Sequence, residues 1–235
     1  MRIREVNWMH VEEYLRSDDR IVLPIGSTEQ HGFLSLETDN ILAERVSAEA
    51  AEPLGVLVLP VLAYGLTPSF AAYPGSPSLR LETFLAVLRD LLDSLYGQGF
   101  RRFLVVNGHG GNLPGGALLR EWAAREDRAD AQALFHSWWS SDRVQAAARE
   151  VDPLPSHANW FENFPWTRLE GVGLPKERKP DLDQAAYQVA GPAGVRELLG
   201  DGVFQGAYEL PDDQAARVWE VGVAEVRELL ENGWR

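Results

Sequence analysis

The stretch Ile21-Val22-Leu23-Pro24-Ile25-Gly26-Ser27-Thr28-Glu29-Gln30-His31-Gly32 decides how this chain is read. It opens as an apolar run, as expected of a strand buried on both faces of a sheet. It then breaks at a glycine turn and sets out a carboxylate, an imidazole and, at Asp39, a second carboxylate. On an extended segment Glu29 and His31, two residues apart, share one side. That order suits a divalent cation held at the end of a strand. Alone, Glu-x-His describes a solvated loop as readily as a ligand pair, so its weight depends on what the other segments supply.

Two further apolar runs, at 56–62 and 103–106, read as buried strands, and 131–136 is a fourth strand candidate. Helical periodicity separates them. Ile41, Leu42, Val46 and Ala50 mark a helix over 39–51, with Asp39-Asn40 offered as its cap. A strongly amphipathic helix is predicted over 81–97, and others over 115–125, 142–150, 191–200 and 212–232. A short acidic helix is expected over 11–16. Residues 67–77 read as a long loop and 153–180 as irregular chain. Strands that alternate with helices and lack internal polar positions predict one α/β domain built on a mostly parallel sheet covered on both faces. Ligands of such sheets bind beyond the carboxyl ends of the strands. Three polar patches fall there: 29–39, 107–112 and the segment after Trp138-Trp139.

Composition narrows the chemistry. The 235 residues carry 22 Lys and Arg against 35 Asp and Glu, a net charge of -13. That balance argues against a nucleic-acid partner, which needs clustered cations. There is no cysteine, so any metal must be held by His, Asp and Glu. No apolar run approaches the roughly 20 residues of a membrane span. The first residues have no apolar signal core, and a cytoplasmic protein with no membrane partner is expected.

Asn107-Gly108-His109-Gly110-Gly111-Asn112 follows the third apolar run. Three glycines around one histidine allow close approach of a ligand. No Lys-Ser or Lys-Thr pair follows, so this is not a phosphate-binding P-loop. His109 reads better as a metal ligand than as a turn residue. His157 and Glu162, five apart, are either packing or an acid-base pair beside a cation-activated water. Trp138, Trp139, Trp160, Phe161, Phe164 and Trp166 suit a pocket wall, a core or a subunit interface equally. His10 and His136 receive no role.

These motifs together resemble the creatininase (creatinine amidohydrolase) family. The resemblance rests on 23–32 with Thr38-Asp39, on 107–112, and on His157-Ala158 with Glu162, and it covers about the first 165 residues. It implies a three-layer α/β/α fold, a binuclear centre of Zn, Mn or Fe, and a homo-oligomer, often a hexamer. By motif match Glu29 and His109 hold one metal, His31 the other, and Asp39 bridges them. His157 matches the catalytic histidine. The chain departs from the family pattern in four places. The step from His31 to Asp39 is one residue shorter, and it lacks a second histidine. Gly111 stands where creatininase carries a glutamate ligand, so the second metal has one ligand fewer or Glu162 supplies it. Asn159-Trp160 replaces a Gly-Glu pair.

The expected activity is therefore metal-dependent hydrolysis, with activated water attacking the carbonyl of a small cyclic amide or formamide-type substrate. His157 is expected as proton donor, with Glu162 beside it. Cleavage of a carbon–carbon bond in a cyclic ketone is the enzymatic alternative. A non-catalytic small-molecule binder on the same fold is the other.

Overall fold

Four parallel strands form the central sheet in a computed structural model that describes residues 1–234. They are β1 (Arg20–Ile25), β2 (Leu57–Val58), β3 (Arg102–Asn107) and β4 (Gln132–Ser137), in the order β2-β1-β3-β4. The helices are α1 (Trp8–Tyr14), α2 (Thr38–Ala51), α3 (Leu81–Gly97), α4 (Pro114–Ala123), α5 (Asp142–Val151), α6 (Gln184–Val189), α7 (Pro192–Leu199) and α8 (Asp212–Asn232). Ile25 pairs with Asn107, and Asn107 with Ser137. Three strands therefore end at one level, and the polar patches that follow them meet at one edge.

Alternate residues of the strands feed two separate cores, which is why β1 and β3 have no polar position between their ends. Val22, Val58, Leu104 and Val106 pack with α2, α5 and α8 through Leu42, Val46, Val144, Trp219 and Val226. Ile21, Leu23, Ile25, Phe103 and Val105 pack with α3 and α4 through Phe84, Leu88, Leu92, Leu118 and Trp122. The result is the helix–sheet–helix layering that the sequence predicts.

Several boundaries differ from the sequence reading. The first helix spans Trp8–Tyr14 rather than 11–16, because the Asn7 side chain accepts from the Met9 and His10 backbone and starts it early. The run at 56–62 pairs as a strand only at Leu57 and Val58, with one further bridge from Leu62 to Ile25. Pro60 interrupts it, having no N–H to give. Helix α2 begins at Thr38, so Asp39 lies inside its first turn and is not its cap. This frees the Asp39 carboxylate for other contacts. Helix α6 has no counterpart in the sequence reading. Asp183 caps it, accepting from Ala186 N–H at 2.9 Å, but six residues are too few to show a period.

The irregular chain after α5 is pinned by aromatic packing. Trp138, Trp160, Phe161, Phe164 and Trp219 belong to one buried cluster, with Trp138 and Phe161 stacked at 5.5 Å. Trp138, Trp160 and Phe164 are thus core, whereas Trp139 and Phe161 reach the cleft beside the strand ends.

Candidate metal centre

Close approach of α2 to the end of β3 builds this region. A Cβ on Gly108 would strike the Asp39 carbonyl and touch Ala43, so only glycine lets the first turn of α2 come so near. Asn107 braces the loop that follows. Its amide donates to the His109 carbonyl at 2.8 Å and to Ser137 Oγ at 3.1 Å, and its oxygen accepts from His109 N–H. Asn112 ties the loop to two others, donating to the Gly26 carbonyl at 2.9 Å and accepting from Leu66 N–H at 3.1 Å.

Glu29, His31, Asp39, His109, His157 and Glu162 all converge there. Asp39 turns Oδ1 to His31 Nε2 at 3.1 Å and Oδ2 to His109 Nδ1 at 3.0 Å. Glu29 Oε1 lies 3.2 Å from His109 Nδ1, and Glu162 Oε2 lies 3.6 Å from His31 Nε2. Three overlapping sets have ligand atoms within 4.8 Å of one another: Glu29-Asp39-His109, His31-Asp39-Glu162 and Glu29-His31-His157.

The donor set fits a cation on independent grounds. Glu29 Oε2 is buried with no partner, and His31 Nε2 and Asp39 Oδ2 are buried with no hydrogen bond beyond the ion pairs just given. An unpaired buried polar atom costs roughly 1–3 kcal/mol, so a cation held among these residues would satisfy what the protein alone leaves open. The histidines are also set up as ligands. The Leu66 carbonyl, 2.8 Å away, accepts a hydrogen bond from His109 Nε2, leaving Nδ1 to face the centre. The Glu29 carbonyl, 3.3 Å from His31 Nδ1, leaves Nε2 free in the same way.

Gly111 is explained by the same carbonyl. A Cβ there would overlap Leu66 O and crowd His109 Nε2. The loop carrying Leu66 fills the space that a glutamate at this position would need. Glu162 instead stands beside His31 and Asp39. Its Oε2 accepts from Ala158 N–H at 2.6 Å, and Ala158 adopts a left-handed φ of 60° to offer that N–H.

Electrostatics divide the group. Burial opposes charge on His31, but Asp39, Glu162 and Glu29 outweigh it and raise its pKa to about 10. His109 is also raised well above the ordinary value, burial being overcome by Glu29 and Asp39. Asp39 is held below the usual carboxylate range, because the two histidines outweigh its burial. Burial pushes Glu162 up to about 7, with His31 opposing and Asp39 reinforcing the shift. His157 differs: burial, aided by His31, presses it well below 6.5, so it stays neutral.

A cleft of about 500 Å³ opens over the centre. The 67–77 loop contributes Thr67 to Phe70, as its length suggested. Gln184 and Tyr187 of α6, with Phe204 and Gln205, form another part of the wall. Sequence reading missed these four residues, since they lie beyond the last motif on chain with no distinctive spacing. No lysine or arginine lines the cleft among the described residues. His136 lies outside it, partly buried at the end of β4, and His10 is exposed near the amino terminus.

Comparison with known proteins adds independent information. The creatininase family model, described as creatinine amidohydrolase, matches residues 4–230. Creatinine amidohydrolase of Pseudomonas putida is 32% identical over 162 residues, covering 64% of this chain and 62% of that protein. A mycofactocin precursor peptide peptidase of Mycobacterium tuberculosis is 37% identical over 115 residues, 43% of each chain. A 3-dehydro-scyllo-inosose hydrolase of Thermotoga maritima is 31% identical over 102 residues, 43% of this chain and 33% of that one. The chain thus spans less than two thirds of the length of these relatives. Among solved structures, a creatininase superposes with a TM-score of 0.80 at 24% identity, covering 99% of this chain and 97% of that one. A manganese form of creatininase gives the same score and identity, covering 99% and 98%. These superpositions establish a shared fold, and no helix among the described residues is long and apolar enough to cross a membrane. With the family model spanning nearly all of its length, the chain belongs to the creatininase family.

Proposed function

We propose that this protein is a single-domain, metal-dependent hydrolase that holds two divalent cations and acts on a small cyclic amide or formamide-type substrate. The observation that carries the reading is Asp39, whose two oxygens face two different histidines. Glu29, Asp39 and His109 would hold one cation, and His31, Asp39 and Glu162 the other, with Asp39 shared. Zinc, manganese and iron all suit such ligands, and related creatininases have been solved in zinc and manganese forms. Bound cations supply Lewis-acid polarisation of a carbonyl and lower the pKa of water from 15.7 to about 7.

The chain's own residues do the rest. His157 is neutral and set between Phe70 and Phe204, with ring centroids 4.9 and 4.8 Å away. From there its Nδ1, 3.9 Å from Glu29 Oε1 and 4.0 Å from Glu162 Oε2, faces the centre, where its N–H can hydrogen-bond the departing nitrogen while the attacking water supplies that nitrogen's proton. Glu162 would help hold the second cation and is itself fixed by Ala158 N–H. Phe161 and Trp139 form apolar wall, and amide and hydroxyl groups from Gln145, Ser69 and Tyr187 offer hydrogen bonds without charge. The size and neutrality of this wall support a small uncharged substrate.

A second reading, hydrolysis of a carbon–carbon bond in a cyclic ketone, is favoured by the likeness to the inosose hydrolase. The test is a turnover screen of metal-reconstituted protein over lactams, formamides, cyclic ketones and short peptides. Turnover of the lactam or formamide members supports the proposal. Turnover confined to ketones or peptides replaces it, and none at all, in a protein that binds no metal after reconstitution, leaves a non-catalytic binder.

A further inference from the structure

Gln30 lies between Glu29 and His31, yet its side chain points away from the acidic centre and is 5% exposed. Its Oε1 accepts from Gly32 N–H at 3.1 Å, and its Nε2 donates to the Gly202 carbonyl at 3.1 Å. A peptide N–H can only donate and a carbonyl can only accept, so these two contacts fix which end of the amide is which. Its backbone is fixed too, because Gln30 N–H donates to Ser76 Oγ at 2.9 Å.

The same Nε2 lies 3.0 Å from Nε2 of His157. One of its two N–H bonds serves Gly202, and the other faces the imidazole nitrogen. That nitrogen must offer a lone pair. In a neutral imidazole the proton then resides on Nδ1, which faces Glu29 and Glu162. The backbone carbonyl of Gln30, 3.2 Å from His157 Nε2, would accept a proton placed there. Such a proton would set two donors against each other across the shorter 3.0 Å contact. Nor can the ring turn to exchange its nitrogens. Phe70 stacks on it at 20°, Phe204 crowds it, and the His31 ring centroid is 4.4 Å away.

We infer that Gln30 is a positioning residue that holds His157 in the Nδ1–H tautomer, so that His157 presents a proton to the centre and gives no lone pair to a cation. The inference rests on the proposed role of His157 as hydrogen-bond donor to the departing nitrogen and explains what assigns that role. It also separates the three overlapping ligand sets. In Glu29-Asp39-His109 and His31-Asp39-Glu162 every member can offer a lone pair once the histidine releases a proton to an incoming cation, whereas in Glu29-His31-His157 the His157 nitrogen facing the centre cannot.

The test is nitrogen NMR of the imidazoles in zinc-loaded, 15N-labelled protein near neutral pH. The His157 signals are assigned by their loss in His157→Gln. The expected spectrum shows a protonated, pyrrole-type Nδ1 and an unprotonated, pyridine-type Nε2. Gln30→Glu replaces the donor with an acceptor and is expected to exchange the two signal types while zinc content is retained. A wild-type spectrum with a proton on Nε2, or a zinc-shifted Nδ1, overturns the inference, and so does an unchanged His157 pattern in a folded Gln30→Glu. If that variant does not fold, the wild-type spectrum alone decides. Failure of the hydrolase reading would show instead as absent turnover in the substrate screen, with the tautomer unchanged.

Discussion

The carbonyl oxygen of Leu66 stands where a side chain on Gly111 would have to begin, and it bonds the distal nitrogen of His109 at 2.8 Å. Absence of an acidic residue at position 111 is therefore part of a rebuilt wall and not a simple loss. Gly111→Glu should not add a ligand. It should push the 66–67 backbone aside, release the His109 ring and cost roughly 1–3 kcal/mol of stability. Zinc affinity should fall by about 10–100-fold, the usual penalty when a ligand's supporting hydrogen bond is lost. Denaturant unfolding and zinc-competition titration of the variant read both effects, and a tighter-binding variant would contradict this account.

His157 makes no claim on the metal in the proposed mechanism. His157→Gln should leave zinc content unchanged and lower kcat on the best substrate of the screen by about 10²–10⁴-fold, the range for a positioned group that assists proton transfer. Elemental analysis and steady-state kinetics separate the two. Loss of a cation from this variant would place His157 among the ligands.

Ala158 carries backbone strain, having a left-handed φ of 60° where non-glycine residues are rare. Ala158→Gly removes a penalty of about 1–2 kcal/mol but adds roughly 0.5–1 kcal/mol of unfolded-state entropy. Its net effect should lie between about zero and a gain of about 1.5 kcal/mol. Ala158→Val should instead destabilise by at least ~1 kcal/mol and loosen Glu162, whose oxygen accepts from Ala158 N–H. The denaturation midpoints of the two variants should lie on opposite sides of wild type or, at the least, in that order.

Protonation gives a prediction with a definite sign. His31 holds its proton up to about pH 10 in the folded chain, against an ordinary value of 6.5, and His109 is shifted the same way. Their contribution to folding is complete below about 6.5 and is lost as pH rises toward 10. Glu162, raised from 4.5 to about 7, has the same sign at lower pH. His157, pressed below 6.5, has the opposite sign on the acid side, so the upper window is the clean one. Chelator-treated protein should melt lower at about pH 9 than at about pH 7. Cation loading should release protons and add most stability at the higher pH. A melting temperature of the chelated protein that rises across this window would contradict the proton inventory.

The sequence showed most of what positions the centre. Apolar runs without polar interruptions marked β1 and β3, because both faces of those strands are covered. The same runs marked the edge where Glu29, His31 and His109 gather. The role of Gly111 was not legible, because the carbonyl that fills its place comes from Leu66, distant in sequence and unremarkable in type. Gln184, Tyr187, Phe204 and Gln205 escaped notice for a related reason: tertiary packing alone brings them to the cleft. Trp138, Trp139 and Phe161 show the limit of composition, since neighbouring aromatics of one motif divide between core and cleft according to which way each side chain points.

The shortened step from His31 to Asp39 is where the family resemblance was weakest, and the structure still places Asp39 between His31 and His109. The most direct test is metal stoichiometry by elemental analysis after zinc reconstitution, on wild type and on Asp39→Asn, His31→Ala and His109→Ala. The account predicts two zinc ions per wild-type chain, one in each histidine variant, and fewer than one in Asp39→Asn. One ion in wild type, or two retained in Asp39→Asn, would contradict a shared carboxylate at the heart of this centre.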